Sequence, residues 1–524
     1  MPIFLKRLVC ILLSATAFSV KAQNSSKGEI IYHLFQRSFY DSNGDGHGDL
    51  NGVAQKLNYL QELGVTSILL LPLYESVYYH NYFAVDFHKI DPEFGTMQDY
   101  INLVKEVHRR GMKVYMDMET QYVTEDQLWW KDSYGNPRSK YSDYILYNDT
   151  ANRKPESIIF GLNELSGYDG TKRKVATANL NSKDFQEYNF ELFKYFVDPN
   201  KDGKFDDGVD GFRLDHMMDD LDFKGRLTGL LTRFWDPLLS KLKQINPRLR
   251  IVAEQAVWSS YGNEYFQKAN VDRVFAFQLQ GAIATFDKNR IAAIADTTLN
   301  MITQNKQQVV FIENHDMQRF ASVVNKNLAK EKIGATLNLM IGGVPSIYYG
   351  QELGMFGKNG AGKYGMTDAN DIPIREAFEW YKTDTGKGMA LWYKNTGPWW
   401  DSTNLKPGDG ISLEEERKDP SSLFNFYKTM IHLRQSNPAL IFGKYQTLTN
   451  DNDNVFSFVR KEKNVVCVAV NLSDRPQRAA IHLFEIDRPV KSLIQLLGKE
   501  NGKISGKKLI LDLPAYGIEV WEIK

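Results

Sequence analysis

A chain of 524 residues exceeds one ordinary domain, so a large domain carrying additions is the expected organisation. Lys plus Arg and Asp plus Glu balance at 64 each, which removes the electrostatic case for nucleic acid or an anionic membrane surface as a partner. The 27 Tyr, 30 Phe and 9 Trp suit either a large core or surfaces that stack on flat ligands.

The first residues read MPIFLKRLVCILLSATAFSVKAQ. Lys6 and Arg7 flank an apolar run from Leu8 to Val20, and Val20-Lys21-Ala22 forms a small-residue exit. At ~13 residues the run is shorter than the ~20 that a membrane span requires. Residues 1–22 therefore read as a secretory signal peptide cut before Gln23, with export to the periplasm or the medium and no stable membrane insertion afterwards. Loss of Cys10 with that leader leaves Cys467 alone, so disulfides are expected to contribute nothing.

Eight apolar runs of strand character follow: IIYHLFQ, SILLLPL, KVYMDM, GVDGFRLD, RIVAE, RVFAFQ, VVFIEN and VPSIYYG. Helix-like segments separate them. In NGVAQKLNYLQELG, Val53, Leu57, Leu60 and Leu63 share one helical face, and Gly64 falls at the C-cap. Thr96 and Asp99 have the spacing of a capping box for a helix that closes at Gly111. Strands apolar on both faces, each followed by a helix, point to a parallel sheet, and eight units predict an α/β fold of the closed (β/α)8 TIM-barrel type. The open doubly wound alternative would need Gly-rich phosphate turns, which are missing. One connection, from KVYMDME to SKDFQEYNFELFKYF, runs for ~60 residues where ~2–6 are usual. Residues 120–180 are thus expected as a small inserted domain between barrel parts 23–119 and 181–438. Short alternating strands across 439–524, such as KLILDLPAYGIEVWEI, predict a C-terminal all-β sandwich.

The stretch DGFRLDH, Asp210 to His216, directs attention to chemistry. In an extended strand Phe212 and Leu214 face one way while Arg213 and Asp215 share the other face. Barrels of this type place function at the C-terminal ends of their strands. Three proposed strands end in acids there: Asp215, Glu254 in RIVAEQ, and Asp316 in VVFIENHD, with Arg213 and His315 beside them. Breaking a glycosidic bond passes through an oxocarbenium-like state, which needs a carboxylate on one face and a proton donor on the leaving oxygen. Arg213 is expected to keep Asp215 ionised, and burial among acids to keep Glu254 protonated near neutral pH. Asp316 would add negative charge or hydrogen bonds to sugar hydroxyls.

These stretches, with GVTSILLLPL, HNYFAVDFHKIDPEFGT, KVYMDM, GFRLD, VAE, FIENHD and GVPSIYYGQELGM in this order, resemble the family 13 glycoside hydrolases, the alpha-amylase family, over essentially the whole mature chain. The resemblance implies a retaining α-glucosidic hydrolase acting on α-glucans or malto- and isomalto-oligosaccharides. It implies Asp215 as nucleophile, Glu254 as general acid/base and Asp316 as transition-state stabiliser. It also places Arg213 and His315 at subsite −1, Tyr82 under that sugar with His80 beside it, and Asp117 as an organiser of the site. Two departures stand out. Gln121 and Tyr122 occupy the places of an Asn-His pair, of which the Asn commonly helps hold calcium at the inserted domain and the His contacts a sugar hydroxyl. Met218-Asp219 replaces the Lys-His of many endo-acting amylases. Glucosyl transfer or isomerisation through the same intermediate is the alternative, and a catalytically dead binding protein is disfavoured because all three acids are present.

Two loops have the spacing of calcium sites. DSNGDGHGD presents Asp41, Asn43, Asp45 and Asp49 at positions 1, 3, 5 and 9 with Gly46 at 6 and the His47 carbonyl as a further oxygen. DPNKDGKFDD repeats the pattern with Asp198, Asn200, Asp202, Gly203 and Asp206. Any ion there would be structural, since the loop supplies all its ligands.

Overall fold

The protein is described here from a computed structural model, which covers residues 28–302, 305–401, 408–486, 490–499 and 502–524. The expected signal peptide lies outside the described residues. All eight predicted strands form, as β1 (Ile31–Leu34), β2 (Ser67–Leu70), β3 (Lys113–Met118), β4 (Gly211–Met217), β5 (Arg250–Gln255), β6 (Arg273–Phe275), β7 (Gln307–Val310) and β8 (Val344–Tyr348). Each pairs in parallel with its neighbours in chain order, and β8 pairs with β1 to close the barrel.

The barrel has two interiors stacked on one axis. Ile31, Leu69, Tyr115, Val252, Phe275, Val309 and Val344 fill an apolar layer. Two residues further along the same strands, the inward positions turn polar: His33 on β1, Asp117 on β3, Arg213 on β4 and Glu254 on β5 are all buried. The outward residues of β4 pack under helices, with the Phe212 ring edge-on to Phe193 at 4.8 Å from the helix Lys183–Val197. Gly211 is needed below them, because a Cβ there would sit 1.9 Å from the Arg250 carbonyl and 2.9 Å from the Tyr115 ring.

Two expectations are corrected. The single helix through Val53 and Leu63 is two, Leu50–Gln55 and Leu57–Leu63. The break falls at Lys56, whose ammonium lies over the rings of Tyr40 and Trp380 at 3.8 and 4.2 Å. The seventh strand ends at Val310 rather than at Asn314, and Asn314 instead opens a turn in which its carbonyl accepts from Met317 N–H. The capping box forms as read: Thr96 accepts from Asp99 N–H, and Asp99 accepts from Thr96 N–H.

Residues 122–177 leave the barrel after β3 and hold an antiparallel sheet of Tyr122–Thr124, Lys172–Thr177 and Glu164–Ser166. The C-terminal part is a sandwich of a five-stranded and a three-stranded sheet. Its central strand, Val465–Asn471, is buried on both faces. Val465, Cys467 and Ala469 point into the sandwich, while Val466, Val468 and Val470 join the core shared with the barrel helices.

Candidate active site

Arg213 is the hub of the barrel mouth. Its position beside Asp117 follows from register, the two being paired on β4 and β3. Nη1 donates to Asp117 Oδ2 and to Asp215 Oδ1 at 2.6 Å each, and Nη2 donates to Glu254 Oε2 at 2.7 Å. Asp316 Oδ2 stands 3.9 Å from Nη2. One buried guanidinium therefore serves four carboxylates contributed by four segments of chain.

The approach of Asp215 to Glu254 depends on an irregularity. Between Leu214 and Met217 on β4 there is one residue more than between Ala253 and Gln255 on β5, so the strand bulges at Asp215-His216. His216 adopts a positive φ of 46°, a strained backbone for a residue with a side chain. Glu254 Oε2 accepts from His216 N–H at 3.0 Å. Asp215 and Glu254 are thus bonded to the two terminal nitrogens of the same guanidinium, Nη1 and Nη2. Two carboxyls held side by side on one guanidinium are the arrangement that a double displacement uses, with its acids ~5–5.5 Å apart.

Burial raises both groups, Asp215 to about 6 and Glu254 to about 7, in each case with Arg213 pulling the other way. Arg213 acts in the expected direction, towards ionised Asp215, while burial is the larger influence and leaves the carboxyl above the usual range. The ordering nonetheless places the proton on Glu254 when the pair holds one.

His315 is fully buried, and burial together with the Arg213 charge depresses its pKa, so the ring is neutral. Its Nε2 lies 2.9 Å from Tyr82 Oη and 3.1 Å from Asp316 Oδ2, and its ring stacks on Tyr82. Tyr82 donates to Asp117 Oδ2 at 2.8 Å. His80 Nδ1 accepts from Tyr82 N–H at 3.2 Å, which makes His80 a support of that loop. Asp117, Arg213, Asp215, Glu254, Asp316, His80, Tyr82 and His315 thus converge. Trp129 lies in the core against Phe87 and Phe185, whereas Trp258 is exposed and stacks on Phe277.

Arg375 escaped the sequence reading. It lies in the long segment after β8 and bonds Asp316 Oδ1 at 3.2 Å, the His315 carbonyl at 2.9 Å and Tyr79 Oη at 3.0 Å. Its signal was faint: Asp371 and Arg375 in an aperiodic loop beyond a barrel strand. Glu119 also escaped. Its carboxyl is buried, raised well above the usual range by desolvation and by Asp215, and accepts from Tyr122 N–H at 2.7 Å.

The two Asp-rich loops lie apart from this cluster in sequence and share a local geometry. Asp41 accepts from Gly46 N–H at 2.8 Å, and Asp198 from Gly203 N–H at 3.0 Å. Asn43 Oδ1 accepts from Asp45 N–H, Asp45 from His47 N–H, and Asn200 from Asp202 N–H. Asp49 caps the helix Leu50–Gln55 through Gly52 N–H. The Asp206 carbonyl faces His108 Nδ1 at 2.9 Å. Among the described residues no three His, Cys, Asp or Glu side chains converge as a metal-holding group.

A model of the alpha-amylase catalytic domain matches residues 33–443. An alpha-amylase 3 from Dictyoglomus thermophilum is 28% identical across 93% of this chain and 91% of its own length. A probable oligo-1,6-glucosidase 3 from Bacillus subtilis is 28% identical across 86% of this chain and 91% of its own. The crystal structure of the alpha-amylase from H. orenii superimposes with a TM-score of 0.78 at 27% identity, covering 95% of this chain and all of that one. Barrel, carboxylate cluster and relatives together define a glycosidase. The chain belongs to the alpha-amylase family.

Proposed function

We propose that the chain is a retaining glycosidase that cleaves α-glucosidic bonds in malto- or isomalto-oligosaccharides. The observation that carries the reading is the pair of raised carboxyls, Asp215 and Glu254, held on adjacent strands by the two terminal nitrogens of one arginine. Asp215 attacks the anomeric carbon as Glu254 gives its proton to the leaving oxygen, forming a glycosyl ester on Asp215. Glu254, now a carboxylate, takes a proton from water, whose oxygen displaces Asp215 with net retention. Asp316 faces the same space, steered by Arg375 and His315, and is assigned to sugar hydroxyls at the transition state. Incubation with maltooligosaccharides, isomaltooligosaccharides, pullulan, cyclodextrin and sucrose tests the substrate range. Longer products would mark glucosyl transfer, and first-formed β-anomer by NMR would exclude retention.

Structural calcium belongs to the same reading. Asp41, Asn43, Asp45 and the His47 carbonyl would hold one ion, and Asp198, Asn200 and Asp202 a second. The second loop has a further support: Asp207 beside it is buried with both carboxylate oxygens unpartnered, a demand that a cation meets. Asp45→Ala and Asp202→Ala are expected to abolish separate calcium-dependent rises in melting temperature. No helix of the described residues is long and apolar enough to cross a membrane. Export through cleavage after Ala22 is tested by sequencing the N-terminus of the mature protein, expected at Gln23.

A further inference from the structure

The bulge that aims Asp215 is strained at His216 and must be held. Several groups do so. Glu254 takes His216 N–H, Tyr122 Oη lies 3.3 Å from His216 Nδ1, and Tyr265 Oη donates to the Met217 carbonyl at 2.6 Å. The two carbonyls of the kink itself, those of Asp215 and His216, face a single side chain: Gln121 Nε2, at 2.7 and 3.3 Å. Gln121 is buried, and its other polar groups are committed. Its Oε1 accepts from Thr120 N–H at 2.9 Å, and its carbonyl accepts from Ala178 N–H at 2.8 Å. It therefore joins the outgoing and returning ends of the inserted segment to the strand that carries the nucleophile.

A carbonyl pair at such a junction could also be bridged by a cation, but this chain fills the place with protein donors. Nearby Glu156, the buried acid of the inserted segment, already receives Lys224 Nζ at 2.5 Å and Arg226 Nη1 at 3.5 Å. Arg226 Nη2 donates in addition to the Tyr147 carbonyl at 3.0 Å. Carboxylate and carbonyls are all satisfied by cationic or amide N–H groups, which repel a metal ion or leave it no free oxygen.

We propose that Gln121 is a positioning residue for the nucleophile: its amide clamps the Asp215-His216 carbonyls and makes this junction independent of a bridging cation. The inference rests on the assignment of Asp215 above. A longer side chain than asparagine is what the geometry uses, and a carboxylate in its place would present oxygen to oxygen.

Two near-isosteric variants test it in the full chain with an aryl α-glucoside. Gln121→Met removes the donor, and kcat is expected to fall about 10–100-fold with KM nearly unchanged and the protein still folded at the assay temperature, as for loss of a supporting contact. Gln121→Glu is expected to lose as much and to regain activity with millimolar calcium, which can bridge the new carboxylate to the two carbonyls. Gln121→Met carries the same calcium loops and should gain nothing. Wild-type kcat in Gln121→Met overturns the clamp, as does a loss explained by the unfolded fraction alone. Equal response of the two variants to calcium overturns the cation-substitute role. If Asp215→Asn is inactive in the same assay while Gln121→Met is not, only this inference fails and the catalytic assignment stands.

Discussion

Arg213→Met removes the one cation, among the described residues, in hydrogen-bond contact with Asp117, Asp215 and Glu254. A unit charge ~4 Å away at an effective dielectric of ~20 is worth ~4 kcal/mol. At ~1.4 kcal/mol for each pKa unit, losing it lifts a neighbouring carboxyl by up to ~3 units. Asp215 starts at about 6, so in the variant it would be protonated across the neutral range, with ~1% ionised at pH 7 at the upper limit. The assay is kcat/KM against pH on an aryl α-glucoside with a good leaving group, so that proton donation does not limit the rate. The acid limb should move alkaline by ~1–3 units, with a loss at pH 7 of ~2-fold for the smallest shift and ~100-fold for the largest. Arg213→Lys keeps the charge but not the fork, and should shift the limb less while still lowering the rate. An Arg213→Met profile whose acid limb coincides with the wild-type limb would refute the reasoning, because Asp215 would then owe its ionisation to something other than the guanidinium.

The wild-type profile should be a narrow bell, rising as Asp215 ionises near about 6 and falling as Glu254 ionises near about 7. Asp316→Asn removes a negative charge that holds Glu254 up, so the alkaline limb should move to lower pH, measured on maltotriose, whose leaving group needs the Glu254 proton. Glu254→Gln should lose ~10²–10⁴-fold on maltotriose but less on the aryl glucoside, whose leaving group needs less protonation. A separate test concerns stability. Glu352 is fully buried between the hydroxyls of Tyr32 and Tyr59, and burial raises it to about 7 from 4.5. The native state therefore keeps a proton that the unfolded chain releases, and stability should fall as pH rises from 4.5 towards about 7. The loss is roughly 3 kcal/mol at most; urea midpoints at pH 5 and 8 should lie closer together in Glu352→Gln.

The eight strands and their acids were legible because the signals are local. Apolar runs such as SILLLPL and RIVAE differ from helical spacing over a few residues, and Ser/Thr caps such as Thr96 mark helix starts. Inward and outward faces of DGFRLDH followed from the alternation of a strand, and Arg213 and Asp215 do share the inner face. The sequence also named the acids of the site by type, Asp215 and Glu254 near strand ends and Asp316 in the turn beyond β7. Arg375 and Glu119 were not legible, since their roles depend on which loops fold over the mouth. Arg375 reaches Asp316 from 59 residues away in the chain.

Covalent order and side-chain period thus determined which residues line the barrel and that three carboxylates stand at its mouth. Tertiary structure alone decided how those charges share one guanidinium, how strongly burial raises Asp215 and Glu254, and how a one-residue bulge turns the nucleophile towards its partner. The physical reason is range. Periodicity is written over neighbouring residues, whereas desolvation, Coulomb coupling and backbone strain depend on distances that exist only once β3, β4 and β5 lie side by side.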